Sequence, residues 1–316
     1  MKKKMSSPRL IKIGTRGSRL ALWQAEEVQK KLKEAFPDLV SEIVVIKTTG
    51  DKILDVALSK IGDKGLFTKE LELELLDGSL DIAVHSLKDI PTQLPDGLML
   101  GGVLERGEVR DVFLSGDGRL LSEFGKGDKV GTSSLRRRSQ LLKHYPDISV
   151  VDIRGNVNSR IQKMQDGYCD GLVMAGAGIL RLGLEDLISE YIEPSIVMPA
   201  VSQGAVAIEM REDDEYIYNI IDAINHTETW KVVMAERTFL RVMEGGCQVP
   251  VACYSVVNGH QIKLDAMVAS LDGRTMIRDS FESDLEEASE KAVELALSML
   301  EAGAEDILNS IRDSNE

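Results

Sequence analysis

Residues 81–97 constrain the fold of this chain more than any other stretch. Residues 82–84 form an uninterrupted apolar run, which is typical of a short strand buried on both faces. Pro91 and Pro95 follow closely, and proline can continue neither a central strand nor a helix. A strand of this kind belongs to a sheet that helices cover on both sides, so the stretch predicts an α/β domain.

Polar side chains crowd the end of this predicted strand, namely His85, Ser86, Lys88 and Asp89. In open α/β sheets, ligands bind just past the carboxyl ends of the strands. The Asp89 carboxylate is therefore a candidate catalytic group. The alternative is that Asp89 only caps a turn ahead of the next proline, and this stretch alone favours that simpler interpretation.

The pattern of apolar residues predicts strands and helices in alternation, which is typical of a doubly wound parallel sheet. A break at 105–108 marks a crossing into a second α/β domain, and the segment 199–208 is predicted to return to the first sheet. A third, α+β domain follows, in which an acidic helix at 284–302 covers a small antiparallel sheet. The expected domains are 1–104 with 204–222 returning, 105–203, and 223–316.

Two strand–turn–helix junctions carry hydroxyl and guanidinium groups at a place where helices bind anions. Arg16 and Ser18 lie in the first, and Ser18 is the predicted N-cap of a helix at 19–36. The second junction repeats the pattern at 130–138. Such an echo suits two related halves that face one cleft, although two short matches do not establish a duplication. The candidate binding residues of the second junction are Thr132, Ser134, Arg136 and Arg137.

Helical geometry separates the three consecutive arginines of the second junction. Side chains at 136, 137 and 138 point about 100° apart, so no more than two of them can face one ligand. We expect Arg136 and Arg137 to point inward and Arg138 to face solvent.

The charge of the chain is unevenly distributed. Its net charge of −14 argues against nucleic acid as a partner. Residues 126–163 nevertheless hold nine Lys or Arg and three Asp, a net of +6, whereas residues 279–316 hold two basic and twelve acidic residues, a net of −10. The basic block can attract a small polyanion; the alternative is a solvated basic face. Arg154, Arg160 and Arg181 lie at or soon after predicted strand ends, and guanidinium groups suit carboxylates.

The polar segment 50–65, with Lys64 near its end, is predicted to be either a mobile lid or a plain solvated connection.

Cys247 follows two glycines, which leave its sulfur open to approach, whereas Cys253 lies in an apolar run. The four histidines are scattered, so we expect no metal site.

The remaining features concern location. Three cysteines, an odd number, favour a reducing compartment. No apolar run approaches the roughly 20 residues of a membrane span, and no apolar signal segment follows the basic start. We therefore expect a cytoplasmic protein with no membrane partner.

Several of these features coincide in an unusual combination: Arg16 and Ser18, the run 86–91, the run 132–137, Arg154, Arg160, Gln203 with its following glycine, and Gly-Gly-Cys-Gln-Val-Pro at 245–250. From about residue 11 to its end, the sequence resembles the porphobilinogen deaminase family of tetrapyrrole biosynthesis. Arg19 stands where that family often has proline, and Gly17 fills a variable place. Neither departure touches a functional position.

The resemblance implies two periplasmic-binding-protein-like α/β domains facing a cleft, plus the small third domain. It implies hydroxymethylbilane synthase activity, in which four porphobilinogen molecules condense stepwise with release of ammonia. The product grows on a covalent dipyrromethane cofactor, one per chain, joined to Cys247 by a thioether. Asp89 would be the catalytic carboxylate, and the chain would act as a monomer.

The resemblance also assigns the other candidate residues. Those that would bind the cofactor are Lys88, Ser86, Thr132, Ser134, Arg136 and Arg137. Those that would bind substrate are Arg16, Ser18, Arg154, Arg160, Arg181, Gln203 and Lys64. The alternatives are a solute-binding protein or an effector-binding domain, that is, a two-lobed protein that binds a small anion without catalysis.

Overall fold

The computed structural model describes residues 9–52, 65–243 and 249–313. The strands are β1 (Leu10–Arg16), β2 (Val40–Ile46), β3 (Ile82–Ser86), β4 (Leu98–Val103), β5 (Asp111–Ser115), β6 (Lys129–Gly131), β7 (Ser149–Val151), β8 (Gly171–Ala175), β9 (Glu190–Tyr191), β10 (Val206–Arg211), β11 (Val251–Asn258), β12 (Gln261–Ala269) and β13 (Met276–Asp284). The α-helices are α1 (Arg19–Ala35), α2 (Thr49–Lys52), α3 (Lys69–Leu76), α4 (Leu135–His144), α5 (Val157–Gln165), α6 (Gly176–Arg181), α7 (Glu215–Asp222), α8 (Thr227–Val242), α9 (Ala288–Met299) and α10 (Glu305–Asp313).

These residues divide into two compact units. The first unit comprises the described residues of 9–52, 65–105 and 205–230. The second comprises 106–204 and the described residues from 231 onward. No described helix is long and apolar enough to cross a membrane.

The first unit is built on a five-stranded sheet in the order β2-β1-β3-β10-β4. Ile82 and Val84 pack on one face with α1 and α7, while Ala83 packs on the other with α3. The prediction that this strand is buried on both faces is therefore confirmed. Helix α1 also lies where the sequence predicts a helix, at 19–36.

The sheet of the first unit is mixed, not parallel throughout. β1 runs parallel to β2 and β3, but β10 is antiparallel to both of its neighbours. The predicted return to this sheet is confirmed, and the expectation of a purely parallel sheet is wrong at β10. The returning chain enters beside the carboxyl end of β3, where the Leu87 amide donates to the Ala205 carbonyl (3.0 Å). It can only pair along β3 by running in the opposite direction.

The second unit contains a five-stranded sheet with the same plan, in the order β7-β6-β8-β5-β9. Again three strands are parallel, and a fourth, β5, is antiparallel to its neighbours. The apolar cores on its two faces centre on Leu114 and Phe113 respectively. The similarity between the two arginine-bearing junctions therefore extends to the strand order of the two sheets.

The second unit also contains the predicted three-stranded antiparallel sheet, in the order β11-β12-β13. Helices α8, α9 and α10 pack on it around a core that includes Phe239, Leu264 and Leu308. The hairpin between β12 and β13 approaches α4 closely at Gly273, which has a φ of +71°. A Cβ atom there would lie 2.1 Å from the Ser139 carbonyl oxygen, so the contact requires glycine.

Candidate active site

Asp89 lies one turn beyond the end of β3, within the 3-10 turn Leu87–Asp89. Three contacts hold the backbone leading to it. Gln24 donates from Nε2 to Ser86 Oγ (2.9 Å), the Leu87 amide donates to Ala205, and the Ile90 amide donates to Leu87 (3.1 Å). The Asp89 side chain is exposed, and no described residue donates a hydrogen bond to its carboxylate. The turn is thus held by other groups, and the Asp89 carboxylate does not act as its cap.

A pocket of about 430 Å³, counting its open mouth, lies at the end of β3. Its lining includes Arg16, Ser18, Phe67, His85, Ser86 and Asp89. A guanidinium and a carboxylate thus share one recess within the first unit. Such a pair suits a small molecule that carries both anionic groups and a developing cation.

β1 and α1 position the basic side of this pocket. Arg16 is the last residue of β1, and its guanidinium carbon lies 4.2 Å from the centre of the Phe67 ring. Stacking on an aromatic ring restrains a guanidinium, and guanidinium groups suit carboxylates. Ser18 caps α1 as predicted, because its Oγ accepts from the Ala21 amide (3.2 Å).

Arg136 and Arg137, on the first turn of α4, surround a buried carboxylate in the second unit. Nη2 of each guanidinium lies 2.8 Å from a different oxygen of Asp111. Gln203 adds a third contact, from Nε2 to Asp111 Oδ1 (2.9 Å). Burial raises the pKa of Asp111, but the two guanidiniums outweigh that effect and hold it well below its usual range. Both arginines point inward, as the helical geometry predicted.

Arg138 departs from its prediction. It is half-buried rather than fully exposed, and its Nη1 donates to the Val150 carbonyl (3.2 Å). The long side chain lies along the edge of the sheet, since its aliphatic part can cover apolar surface while its charged end reaches a polar group.

The hydroxyl groups of this junction serve the backbone of α4. Ser134 Oγ accepts from the Arg137 amide (3.4 Å), and Thr132 Oγ1 accepts from the Ser134 amide (3.2 Å). These bonds satisfy donors that a helix start leaves without partners, and they fix the direction in which the two arginines leave the helix.

The other predicted arginines of the second unit contact turns. Arg160 donates from Nε to the Gly155 carbonyl (2.8 Å), and Arg181 donates from Nη2 to the Gly204 carbonyl (2.6 Å). Arg154 is half-buried, and this burial lowers its pKa. Gly204 has a φ of +92°, and a Cβ atom there would lie 2.8 Å from the Gly107 carbonyl oxygen. The Gln203–Gly204 pair thus belongs to a tight turn that only glycine can complete.

Some predicted residues cannot be placed. Lys64, with the segment 53–64, and Cys247, with its two glycines, lie outside the described residues. Lys88 is half-buried next to Asp89. Cys169 and Cys253 are both buried; burial raises the pKa of Cys169 to about 11 and that of Cys253 well above its usual value. Neither thiol is suited to carry an external group.

Sequence reasoning missed three residues that shape these sites: Gln24, Phe67 and Asp111. Asp111 opens the apolar run that becomes β5, and a charged residue at the edge of a buried strand is a signal that a partner must exist. Nothing local identifies that partner. Gln24 is almost fully buried and donates to Ser86, a contact that the apolar pattern of α1 does not indicate.

Comparison with known proteins shows which family the sequence matches. The family model "Porphobilinogen deaminase, dipyromethane cofactor binding domain" matches residues 11–219, and "Porphobilinogen deaminase, C-terminal domain" matches residues 230–301. A porphobilinogen deaminase of Syntrophomonas wolfei is 50% identical over 96% of this chain and 99% of its own. That of Desulforamulus reducens is 48% identical over 96% and 98%.

Likeness to solved structures is weaker. The VFT2 domain of Bordetella pertussis BvgS gives a TM-score of 0.41 at 14% identity, over 71% of this chain and 91% of that one.

Proposed function

Because the chain belongs to the porphobilinogen deaminase family, we propose that Asp89 is the carboxylate that carries its reaction. The activity itself is that of a hydroxymethylbilane synthase working with a dipyrromethane cofactor. This activity replaces the alternative of an anion-binding protein without catalysis.

The observation that carries the proposal is the setting of Asp89. Its carboxylate is exposed at the pocket, receives no hydrogen bond from a described residue and shares the recess with Arg16. Porphobilinogen has an acetate and a propionate, and loss of its amine as ammonia leaves a cationic methylene-pyrrolenine. Arg16 can hold a carboxylate while Asp89 stabilises the cation and the pyrrole N–H groups that feed it.

Asp89 would also move protons. A carboxyl group within reach of the departing amine and of the ring carbon can donate a proton to the amine in its acid form and accept a proton from the ring carbon as the carboxylate. Ser86 and Lys88 flank it on the same turn, so both can orient a pyrrole ring against the carboxylate. Since one Asp89 serves every addition, the growing chain must shift after each step.

The residues of the second unit fit an acidic cofactor. Within the described residues, the buried Nε–H groups of Arg136 and Arg137 have no hydrogen-bond acceptor. Two guanidiniums against one Asp111 carboxylate also leave an excess of positive charge, which suits acetate and propionate side chains. The residues that would hold the cofactor are Cys247 through a thioether, with Lys88, Ser86, Thr132, Ser134, Arg136 and Arg137. When bound, the dipyrromethane supplies the pyrrole carbon on which the chain grows.

The substrate side chains would be bound by further basic and polar residues. We assign this role to Arg16, Ser18, Arg154, Arg160, Arg181, Gln203 and Lys64. We further propose three domains, namely 1–104 with 204–222, 105–203 and 223–316, in a monomeric cytoplasmic enzyme. Porphobilinogen is the substrate of the family.

The proposal is tested by substitutions at Asp89. Asp89→Asn keeps the size and hydrogen-bonding shape of the side chain and removes its charge, so kcat should fall on the order of a thousandfold while the melting temperature stays near that of the wild type. Asp89→Glu should keep part of the activity, because the charge survives in a displaced position.

The measurement is steady-state release of ammonia from porphobilinogen, alongside a melting curve. Asp96→Asn, in the exposed loop just beyond, is the matched control and should match the wild type. An Asp89→Asn variant as fast as the wild type, or one that fails only by unfolding, contradicts the assignment.

A further inference from the structure

A group of buried ionisable side chains lies behind the pocket, and nothing in the proposed mechanism uses it. His85 and Glu209 occupy neighbouring strands β3 and β10, where Glu209 pairs directly with Ala83. Side chains two residues apart on a strand share a face, so His85 and Glu209 both point to the side that α3 covers. Glu72 of α3 is buried on the same side.

The relevant distance joins His85 and Glu209. Nε2 of His85 lies 3.1 Å from a carboxylate oxygen of Glu209, and the two side chains are 4% and 0% exposed. Neither Glu209 oxygen has a hydrogen-bond partner among the described residues. The two groups thus lie in close contact without an aligned hydrogen bond. A buried carboxyl group needs a polar or charged partner, and the imidazole is the side chain placed to be that partner.

Glu72 completes the group without competing for His85. Burial raises the pKa of Glu72, and the negative charge of Glu209 raises it further. Two carboxyl groups in one apolar space favour a proton on one of them. Nε2 of His85 lies against Glu209, so Glu209 is the carboxyl group placed to hold the ring.

His85 is also the point where this buried group meets the pocket. It lines the recess that contains Asp89, and Ser86 and the turn Leu87–Asp89 follow it directly. The contacts of Ser86 with Gln24 and of Leu87 with Ala205 restrain the chain after His85. Glu209 restrains His85, the residue just before Ser86, by contacting its imidazole ring.

We propose that His85 is a positioning residue for the reaction: anchored by Glu209, its ring fixes the carboxyl end of β3 and thereby the place of the Asp89 carboxylate. This inference rests on the proposed role of Asp89. It differs from a plain contribution to stability, because a rigid fold with a displaced Asp89 would still fail. Displacement of a catalytic group by about 1 Å can cost about a hundredfold in rate.

The first test is Glu209→Gln, which keeps the shape of the side chain and replaces the carboxyl group that anchors His85 by an amide. We expect kcat to fall about tenfold with KM within about twofold, measured well below the melting temperature where all molecules are folded. Glu72→Gln is the matched control. This variant changes a buried carboxyl group on the same side of the sheet that forms no ion pair with His85 among the described residues, so it should keep the kcat of the wild type.

The second test separates positioning from stability. His85→Leu alone leaves Glu209 buried without its partner and is expected to destabilise the fold, whereas the double variant His85→Leu/Glu209→Leu removes both ionisable groups and should recover the wild-type melting temperature. If His85 positions Asp89, kcat of the double variant stays about a hundredfold low despite this recovery. If the pair only stabilises the fold, kcat recovers with the melting temperature, and the proposal is wrong.

The third test asks whether His85 acts through Asp89. In an Asp89→Asn background, Glu209→Gln should lower kcat by less than about threefold, because the group that it positions has already been removed. Full multiplication of the two losses would overturn the proposal. A fast Asp89→Asn enzyme would instead remove the catalytic role of Asp89, whatever the Glu209 variants do, so the two failures are distinguishable.

Discussion

Asp89 and Asp111 are the same residue type at comparable places, each next to a buried strand, yet their surroundings differ completely. Asp89 is exposed after β3 and receives no hydrogen bond from a described residue. Asp111 opens β5, is fully buried and contacts Arg136, Arg137 and Gln203. The Asp89 carboxylate is available to a ligand, whereas the Asp111 carboxylate is paired with groups of the protein.

The difference shows which process each carboxylate favours: Asp111 contributes to the stability of the fold, and Asp89 to the rate of the reaction. Burying a charge is costly unless partners compensate for it, so Asp111 contributes to stability only together with its guanidiniums. Asp89 keeps its hydration in the open pocket, and its charge can act when a cation develops there. A change at Asp111 should therefore be visible in folding, and a change at Asp89 in turnover.

The largest expected effect is that of Asp111→Asn. Removing one partner of a buried ion pair leaves two guanidiniums without their counter-charge, so the free energy of unfolding should fall by about 3–5 kcal/mol. The same substitution at Asp89 should change it by less than about 0.5 kcal/mol. Chemical denaturation followed by circular dichroism measures both. Similar losses at the two positions would abolish the distinction drawn between them.

A smaller effect is expected at the arginines. Arg136→Leu or Arg137→Leu should each cost about 1–3 kcal/mol, because one guanidinium still faces Asp111, and each should lower the fraction of chains that carry the cofactor. Arg138→Leu is the control and should cost about 0.5 kcal/mol or less, since it loses one bond to a carbonyl at a half-buried site. Denaturation and intact-mass measurement give the two quantities. Equal losses at all three positions contradict the inward pair.

The comparison also predicts a dependence on pH. The folded pKa of Asp111 lies below its unfolded value of about 3.9. Its contribution to stability is therefore complete above about pH 4 and is lost as the pH falls through the lower, folded pKa. The stability difference between the wild type and Asp111→Asn should thus shrink progressively below about pH 4. A constant difference over that range would show that Asp111 is not ionised in the fold.

The smallest effect on stability concerns the thiols, where burial again separates reactive from committed groups. We expect intact-mass measurement to show a two-pyrrole adduct on Cys247 and none on Cys169 or Cys253, whose burial raises their pKa. Cys247→Ala should fold normally and have neither adduct nor turnover. An active wild-type chain without an adduct would rule out this attachment.

Local features of the fold were predictable from the sequence. Ser18 caps α1 and Ser134 caps α4 where hydroxyl residues precede apolar periodicity, and the two inward arginines follow from helical geometry. Short-range rules suffice for these features, because each depends on residues within one or two turns. The β3 strand and its proline-rich exit were recognisable for the same reason.

Long-range partners were not predictable. Asp111 meets Arg137 across 26 residues and Gln203 across 92, and His85 meets Glu209 only because β10 returns beside β3. Sequence spacing carries no information on which buried charge pairs with which, since the topology brings them together. The direction of β10 was missed for a related reason, because a return segment has the same apolar pattern in either orientation.

The position of β10 determines the order in which the two five-stranded sheets can be completed during synthesis. Among the described strands, β4 pairs only with β10, and β10 follows every strand of the second five-stranded sheet in sequence. During synthesis, β3 and β4 therefore cannot be joined in one sheet until residues 206–211, which form β10 between them, have left the ribosome. The second sheet, contiguous from 111 to 191, can close before then. The amino-terminal sheet is thus the later of the two to be completed, and its strand edges stay unpaired, and open to pairing with other chains, for longer.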